Sequence, residues 1–247
     1  MRVFSAIDVG KVRQVNQDYI FTSKDPVGNL PNLFVVADGM GGHAAGDFAS
    51  HYGVAALVAE IKKDDNFNPV KIIRNGMTAA NAAIFDAAIR DPNMAGMGTT
   101  MVAASVAGDY LYIANVGDSR LYVAEDKLVQ VTQDHSLIAE MVRLGELEPE
   151  DAKHHPDKNI ITRAVGTEDT VQVDFFDMKL EKGQVFLLCS DGLSNMLDNE
   201  EIFRILTEAL RDGNSDPAQQ LVDAANEAGG KDNIAAIVVD PFADEVI

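Results

Sequence analysis

At 247 residues, with no Pro-, Gly- or Ser-rich divider, the chain has the size of a single domain spanning 1–247, and 47% hydrophobic residues let it bury a sizeable core. A formal charge of −19 would repel nucleic-acid backbones and anionic membrane faces, which argues against either as a partner. One cysteine, Cys189, excludes an internal disulfide framework, no apolar run reaches the roughly 18 residues that span a bilayer, and acids come too early for a secretory leader, so the expected location is the cytoplasm.

Strand patterns open the chain at Val3 to Asp8, Tyr19 to Ser23 and Leu33 to Ala37. Two helices follow, one from Ala45 to about Lys62 and one after Pro69, each with apolar residues at helical spacing. Thr99 to Val106, Tyr110 to Val116 and Arg120 to Ala124 return to strand, separated by short Gly- or Asp-bearing turns that suit antiparallel hairpins. Residues 136–166 become irregular and partly helical, the form of a lid or binding flap. Val171 to Met178 and Val185 to Ser190 are strand-like, two helices cover Asn199 to Arg211 and Asp216 to Ala228, and a last strand ends at Val239. Strands, then helices, then strands again predict an α+β fold with largely antiparallel sheets. Flanked by Leu187 and Leu188, Cys189 reads as core.

Four aspartates end or border the apolar runs: Asp38 after Leu33–Ala37, Asp118 after Tyr112–Gly117, Asp191 after Val185–Ser190, and Asp232 just before Ile234–Val239. A carboxylate at the rim of a core resists ionising and repels its neighbours, so a positive group should stand among them. A pair of hard divalent cations fits, because such ions take oxygen ligands and together activate water for attack on phosphorus. Asp38 enters the glycine-rich Gly39-Met40-Gly41-Gly42-His43, where Gly39 can also offer its carbonyl. An isolated Asp-Gly pair closes many hairpins; two such pairs joined by Asp118 and Asp232 favour metal. Arg13 could present its planar fork to a phosphate or serve as a surface ion-pair partner. His43 could protonate a leaving oxygen or be a helix-start residue satisfied by backbone. His154 and His155 are adjacent and form no metal-ligand spacing, and no phosphate-binding loop with its lysine occurs.

In order, Arg13-Gln14-Val15-Asn16-Gln17-Asp18, Val36–His43, Gly96–Thr100, Val116–Arg120, Thr132–Ser136, Cys189–Leu193 and Gly230–Ile234 resemble the protein phosphatase 2C family in its compact bacterial form, over almost the whole chain. The resemblance implies an αββα sandwich: two packed antiparallel sheets flanked by helices on both outer sides, with a two-metal centre at one edge. It implies Mn²⁺ or Mg²⁺ as cofactor, two ions per site with a weaker third. Asp38 would bridge both ions, the Gly39 carbonyl would join the second, and Asp191 and Asp232 would hold the first. Asp118 with Asp191 would form the third site, Asp18 would act through bound waters, and Arg13 would hold the substrate phosphate. Where family members from higher organisms often carry an acid, this chain has Gln17, which implies weaker binding of the second ion.

The expected activity is hydrolysis of phosphoserine and phosphothreonine on proteins by a metal-activated bridging water. Phosphoprotein substrates and a cognate serine/threonine protein kinase are the implied partners, and a monomer is the expected state. A phosphoprotein-binding module without catalysis, and a hydrolase of small phosphate esters, are the alternatives that the residues leave open.

Overall fold

The computed structural model describes residues 1–42, 45–152, 155–213 and 215–243. In chain order its elements are β1 (Arg2–Asp8), β2 (Asp18–Ser23), β3 (Leu33–Met40), α1 (Ala45–Lys63), α2 (Pro69–Arg90), β4 (Gly98–Thr99), β5 (Met101–Ala107), β6 (Tyr110–Val116), β7 (Arg120–Ala124), β8 (Leu128–Gln130), α3 (Leu137–Arg143), α4 (Pro149–Ala152), β9 (Asp174–Lys179), β10 (Val185–Cys189), α5 (Asp191–Ser194), α6 (Asn199–Asp212), α7 (Pro217–Glu227) and β11 (Ile234–Asp240). One sheet has the order β1-β11-β10-β7-β8; the other runs β2-β3-β5-β6-β9, with β4 beside β3. Every pairing between these strands is antiparallel.

The alternation of side chains explains why the central strands read as unbroken apolar runs. Phe34 and Val36 of β3, Val102 and Ala104 of β5, Phe186 and Leu188 of β10, and Ile237 and Val239 of β11 meet in a layer between the sheets. Their neighbours in sequence point the other way. Leu33, Val35 and Ala103 pack under α1 and α2 with Leu57, Ile73, Met77 and Ile84, whereas Leu187, Cys189, Ala236 and Val238 pack under α6 and α7 with Leu206 and Leu221. Both faces of each sheet are therefore buried, which is the expected αββα sandwich, and Cys189 lies in its core.

Several boundaries differ from the sequence reading; the strand expected from Val171 to Met178, for one, begins at Asp174 and ends at Lys179. β3 continues through Asp38 and Gly39 to Met40, because Gly39 and Met40 find partners in Thr99 and Gly98. The expected strand from Thr99 to Val106 is interrupted at Thr100, whose hydroxyl takes the Asp38 N–H at 3.0 Å. β8 was not expected; it is a short edge pairing with β7, too brief to show a pattern.

The intersheet layer makes a direct stability test. Phe186, fully buried and edge-on to Phe34 with ring centroids 5.9 Å apart, should cost about 3–5 kcal/mol when replaced by alanine, read by urea unfolding. Phe67, 86% exposed, should change stability by no more than about 0.5 kcal/mol on the same substitution.

Candidate active site

The strand periodicity carries polar residues into one end of the intersheet layer. Asp38 continues the parity of Phe34 and Val36, and Asp18, its direct register partner on β2, lies on the same face. Ser190, immediately after β10, crosses the sandwich: its hydroxyl donates to Asp18 Oδ2 at 2.6 Å and accepts the Ala235 N–H at 2.9 Å. Asp38 is fixed through its backbone. Its carbonyl accepts from the Thr100 N–H and the Thr99 hydroxyl, at 2.8 and 2.9 Å, while Thr100 Oγ1 lies 2.7 Å from Ser119 Oγ beside Asp118.

Two glycines permit the close approaches. At Gly39 an added Cβ would stand 2.0 Å from the Gly46 carbonyl oxygen, so only glycine lets β3 meet the start of α1. At Gly192 a Cβ would fall 1.8 Å from the Asn233 carbonyl oxygen, and this contact brings Asp191 and Asp232 together. Asn233 then anchors the loop before β2. Its side chain accepts the Gln17 N–H at 2.8 Å and donates to the Val9 and Val15 carbonyls at 2.9 and 3.0 Å. That loop delivers Arg13, whose Nη2 donates to Asp232 Oδ2 at 2.7 Å.

The result is a cleft of about 290 Å³ lined by Arg13, Gln17, Asp38, Gly39, Thr100, Asp118, Asn159, Ile161, Asp191, Asp232 and Asn233, among others. Of the residues singled out from sequence, Arg13, Asp38, Gly39, Asp118, Asp191 and Asp232 line it, and Asp18 adjoins it behind Asp38. His43 and His154 lie outside the described residues. Thr100, Ser190 and Asn233 were missed as site residues although each sits inside a quoted motif, because nothing in their local pattern shows which distant backbone they satisfy. Asn159 and Ile161 were missed as well; they bring residues 136–166 to the cleft, where a flap was expected.

The electrostatics are strained in one direction. Burial pushes Asp18 up to about 8, helped by the charges of Asp191 and Asp232 and opposed by the Ser190 hydrogen bond. Burial also holds Asp38 well above the usual carboxylate range, with Asp18, Asp191, Asp118 and Asp232 all adding to the effect. Asp118 rises to about 7 through burial and the charges of Asp191 and Asp134, and Asp191 rises through burial and Asp232. Arg13 is raised by its hydrogen bond to Asp232. Five carboxylates thus converge around one guanidinium, an excess of negative charge that two divalent cations would largely offset. Asp18 Oδ1 is buried without a hydrogen-bond donor, and the Asp38 carboxyl lies against the Asp18 side chain. Two facing acceptors need a proton or a cation between them. Among the described residues no three His, Cys, Asp or Glu side chains close on one point as a complete ligand set. The donors present are all hard oxygens, and Mg²⁺ and Mn²⁺ accept such a partial set together with carbonyls and water.

These shifts set the pH behaviour of the metal-free protein. A carboxyl whose pKa is raised by folding binds more protons folded than unfolded, so its stabilising contribution is full below about 4 and is lost as pH rises toward the folded value of about 8 for Asp18. Thermal melts of metal-free protein should fall in midpoint from pH 5 to pH 8, and Asp18→Asn should flatten that fall.

Comparison with known proteins agrees with this geometry. Residues 10–225 match the sequence profile described as Protein phosphatase 2C. The chain is 40% identical over 240 residues to Serine/threonine phosphatase stp of Listeria monocytogenes, covering 94% of this chain and 93% of that one. It is 38% identical over 245 residues to Protein phosphatase PhpP of Streptococcus pneumoniae, covering 97% of each. Among solved structures it is similar to the Mycobacterium tuberculosis serine/threonine phosphatase PstP/Ppp, with a TM-score of 0.85 and 33% identity over 96% of this chain and 97% of that one. It is also similar to the catalytic domain of the phosphatase PstP in complex with two manganese ions, with a TM-score of 0.83 and 32% identity over 96% of each chain. With its fold, its oxygen-lined cleft and the sequence match in agreement, the chain belongs to the protein phosphatase 2C family of metal-dependent serine/threonine protein phosphatases.

Proposed function

We propose that this chain, acting as one domain in the cytoplasm, removes phosphate from phosphoserine and phosphothreonine of proteins and so opposes a cognate serine/threonine protein kinase. The observation that carries the proposal is the convergence of Asp18, Asp38, Asp118, Asp191 and Asp232 at one end of the sandwich, with a buried Asp18 oxygen left without a donor. Asp38, whose carboxyl meets those of both Asp18 and Asp191, is placed to hold two Mn²⁺ or Mg²⁺ ions together. Asp191, Asp232 and the Gly39 carbonyl would complete the protein's share, Asp118 with Asp191 would offer a weaker third place, and Asp18 would act through ordered water. When bound, such ions lower the pKa of a held water and offset charge building on the phosphoryl oxygens.

The chain's own residues supply orientation. Arg13 has a planar fork of five donors and lines the cleft, and with its Nη2 engaged by Asp232 it would offer remaining donors to a phosphate. Fixing the phosphate in line with the attacking oxygen converts a bimolecular encounter into a positioned one. His43 is assigned the proton that the leaving serine or threonine oxygen needs. Asn159 and Ile161 reach the cleft from residues 136–166, which supports a part for that segment in choosing the substrate.

The deciding experiment is phosphate release from a phosphothreonine peptide by metal-stripped protein, with and without Mn²⁺ and Mg²⁺. Release should need the metal and should vanish in Asp38→Ala and Asp191→Ala. Near-parental turnover by either variant would remove the assignment; metal binding without release would point to a binding module. Arg13→Ala should mainly raise KM for the phosphopeptide, and steady-state kinetics showing an unchanged KM would end its role as phosphate anchor.

A further inference from the structure

His135 has no part in the cleft as described, yet it is 8% exposed and makes polar contacts on every side. Its backbone N–H donates to the Gly117 carbonyl at 3.0 Å, and its ring Nδ1 accepts the Gly117 N–H, also at 3.0 Å. One residue therefore holds both backbone groups of the turn that leads into Asp118. Because a backbone N–H can only donate, Nδ1 is the unprotonated nitrogen, and the proton sits on Nε2, 3.0 Å from Asp174 Oδ2. Asp174 Oδ1 accepts Arg163 Nη1 at 2.8 Å, and Arg163 Nη1 also donates to the Gln172 carbonyl at 3.2 Å. Nη1 stands 3.1 Å from Nε2; as both nitrogens carry protons, the carboxylate of Asp174 is what satisfies the pair.

The same residue grips the end of the flap segment. Its carbonyl accepts the Thr162 N–H at 2.8 Å, the next residue, Ser136, bridges Ile161, and the Leu137 N–H donates to the Ile160 carbonyl at 2.9 Å. Ile161 and Asn159 then line the cleft. His135 is thus bonded both to the returning stretch of residues 136–166 and to the Asp118 turn, and its ring is oriented by Asp174 of β9 together with Arg163 of that returning stretch.

We propose that His135 is a positioning residue: through its Nδ1 it fixes the Gly117–Asp118 turn to the base of the flap, holding Asp118 in the orientation that completes the weaker ion site with Asp191. This rests on the two-ion reading of the cleft. Contacts of this indirect kind are typically worth about 10–100-fold in metal affinity or activity. A merely space-filling histidine would tolerate either amide replacement equally, whereas the proposal separates them. In His135→Asn the amide oxygen falls near the Nδ1 position and can still accept the Gly117 N–H. In His135→Gln the amide falls near Nε2 and meets Asp174, leaving the Gly117 N–H without its acceptor.

The test combines hydrogen exchange at the Gly117 amide in metal-free protein with calorimetric titration of Mn²⁺ into substrate-free protein. For His135→Gln, exchange at Gly117 should quicken and the weakest Mn²⁺ binding event should lose about tenfold in affinity, with the tighter events retained. His135→Asn should restore both. Equal behaviour of the two variants, or faster exchange in the Gln variant with parental Mn²⁺ affinity, overturns the proposal. If His135→Gln does not fold, Asp174→Ala serves instead: it frees the ring to turn, so it should show the same faster exchange and weaker event, and parental values for both would overturn the proposal. Failure of the parent protein to bind Mn²⁺ or to release phosphate strikes the phosphatase reading, while exchange at Gly117 still decides whether the ring holds the turn.

Discussion

Asp18 and Asp38 face one another across adjacent strands at the end of the intersheet layer, and much of the molecule's organisation follows from keeping them there. Carboxylates in such a place repel and resist ionising, and burial, with the neighbouring charges adding to it, lifts both well out of the ordinary range. Folding the apoprotein must hold this arrangement against that repulsion. The apolar layers on both faces of both sheets supply the stabilisation, and the carboxylates sit on the ends of those strands and in the turns beside them.

The neighbouring polar contacts each relieve or exploit part of that strain. Ser190 gives Asp18 a donor from the opposite sheet, Arg13 gives Asp232 a partial counter-charge, and Asn195 donates to Asp191 Oδ2 at 3.0 Å. None of them satisfies Asp18 Oδ1. The chain thus builds a cleft beside a buried carboxylate oxygen left without a donor, where divalent ions would bring relief, and Arg13 lines the same cleft. Binding and catalysis draw on the same excess of negative charge: it demands cations, and the cations in turn make the cleft attractive to an anion that the bare protein, at −19, would repel.

Residues 136–166 are tied to the framework at one end of the cleft. Residues 136–166 hold two short helices, α3 and α4, and return to the sandwich through Ile160–Arg163, which bond to His135, Leu137 and Asp174. The core strands would be unaffected by changes near the flap's tip, whereas its base is pinned beside the Asp118 turn.

The sequence by itself determined most of the longer elements and the principal acids, since period-two burial and helical spacing are local properties, and aspartates at the ends of apolar runs stand out against them. It determined the family through seven ordered motifs. Tertiary structure alone decided that β3 runs on through Asp38, that Thr100 interrupts the next strand to take an N–H, and that Ser190 reaches Asp18 while Arg13 reaches Asp232. It alone joined His135 to Gly117, Asp174 and Thr162. Those pairings link residues up to 219 positions apart in the chain, and a hydroxyl, an amide or an imidazole carries no periodicity that names its partner: only closure of the two sheets brings donor and acceptor within hydrogen-bonding distance.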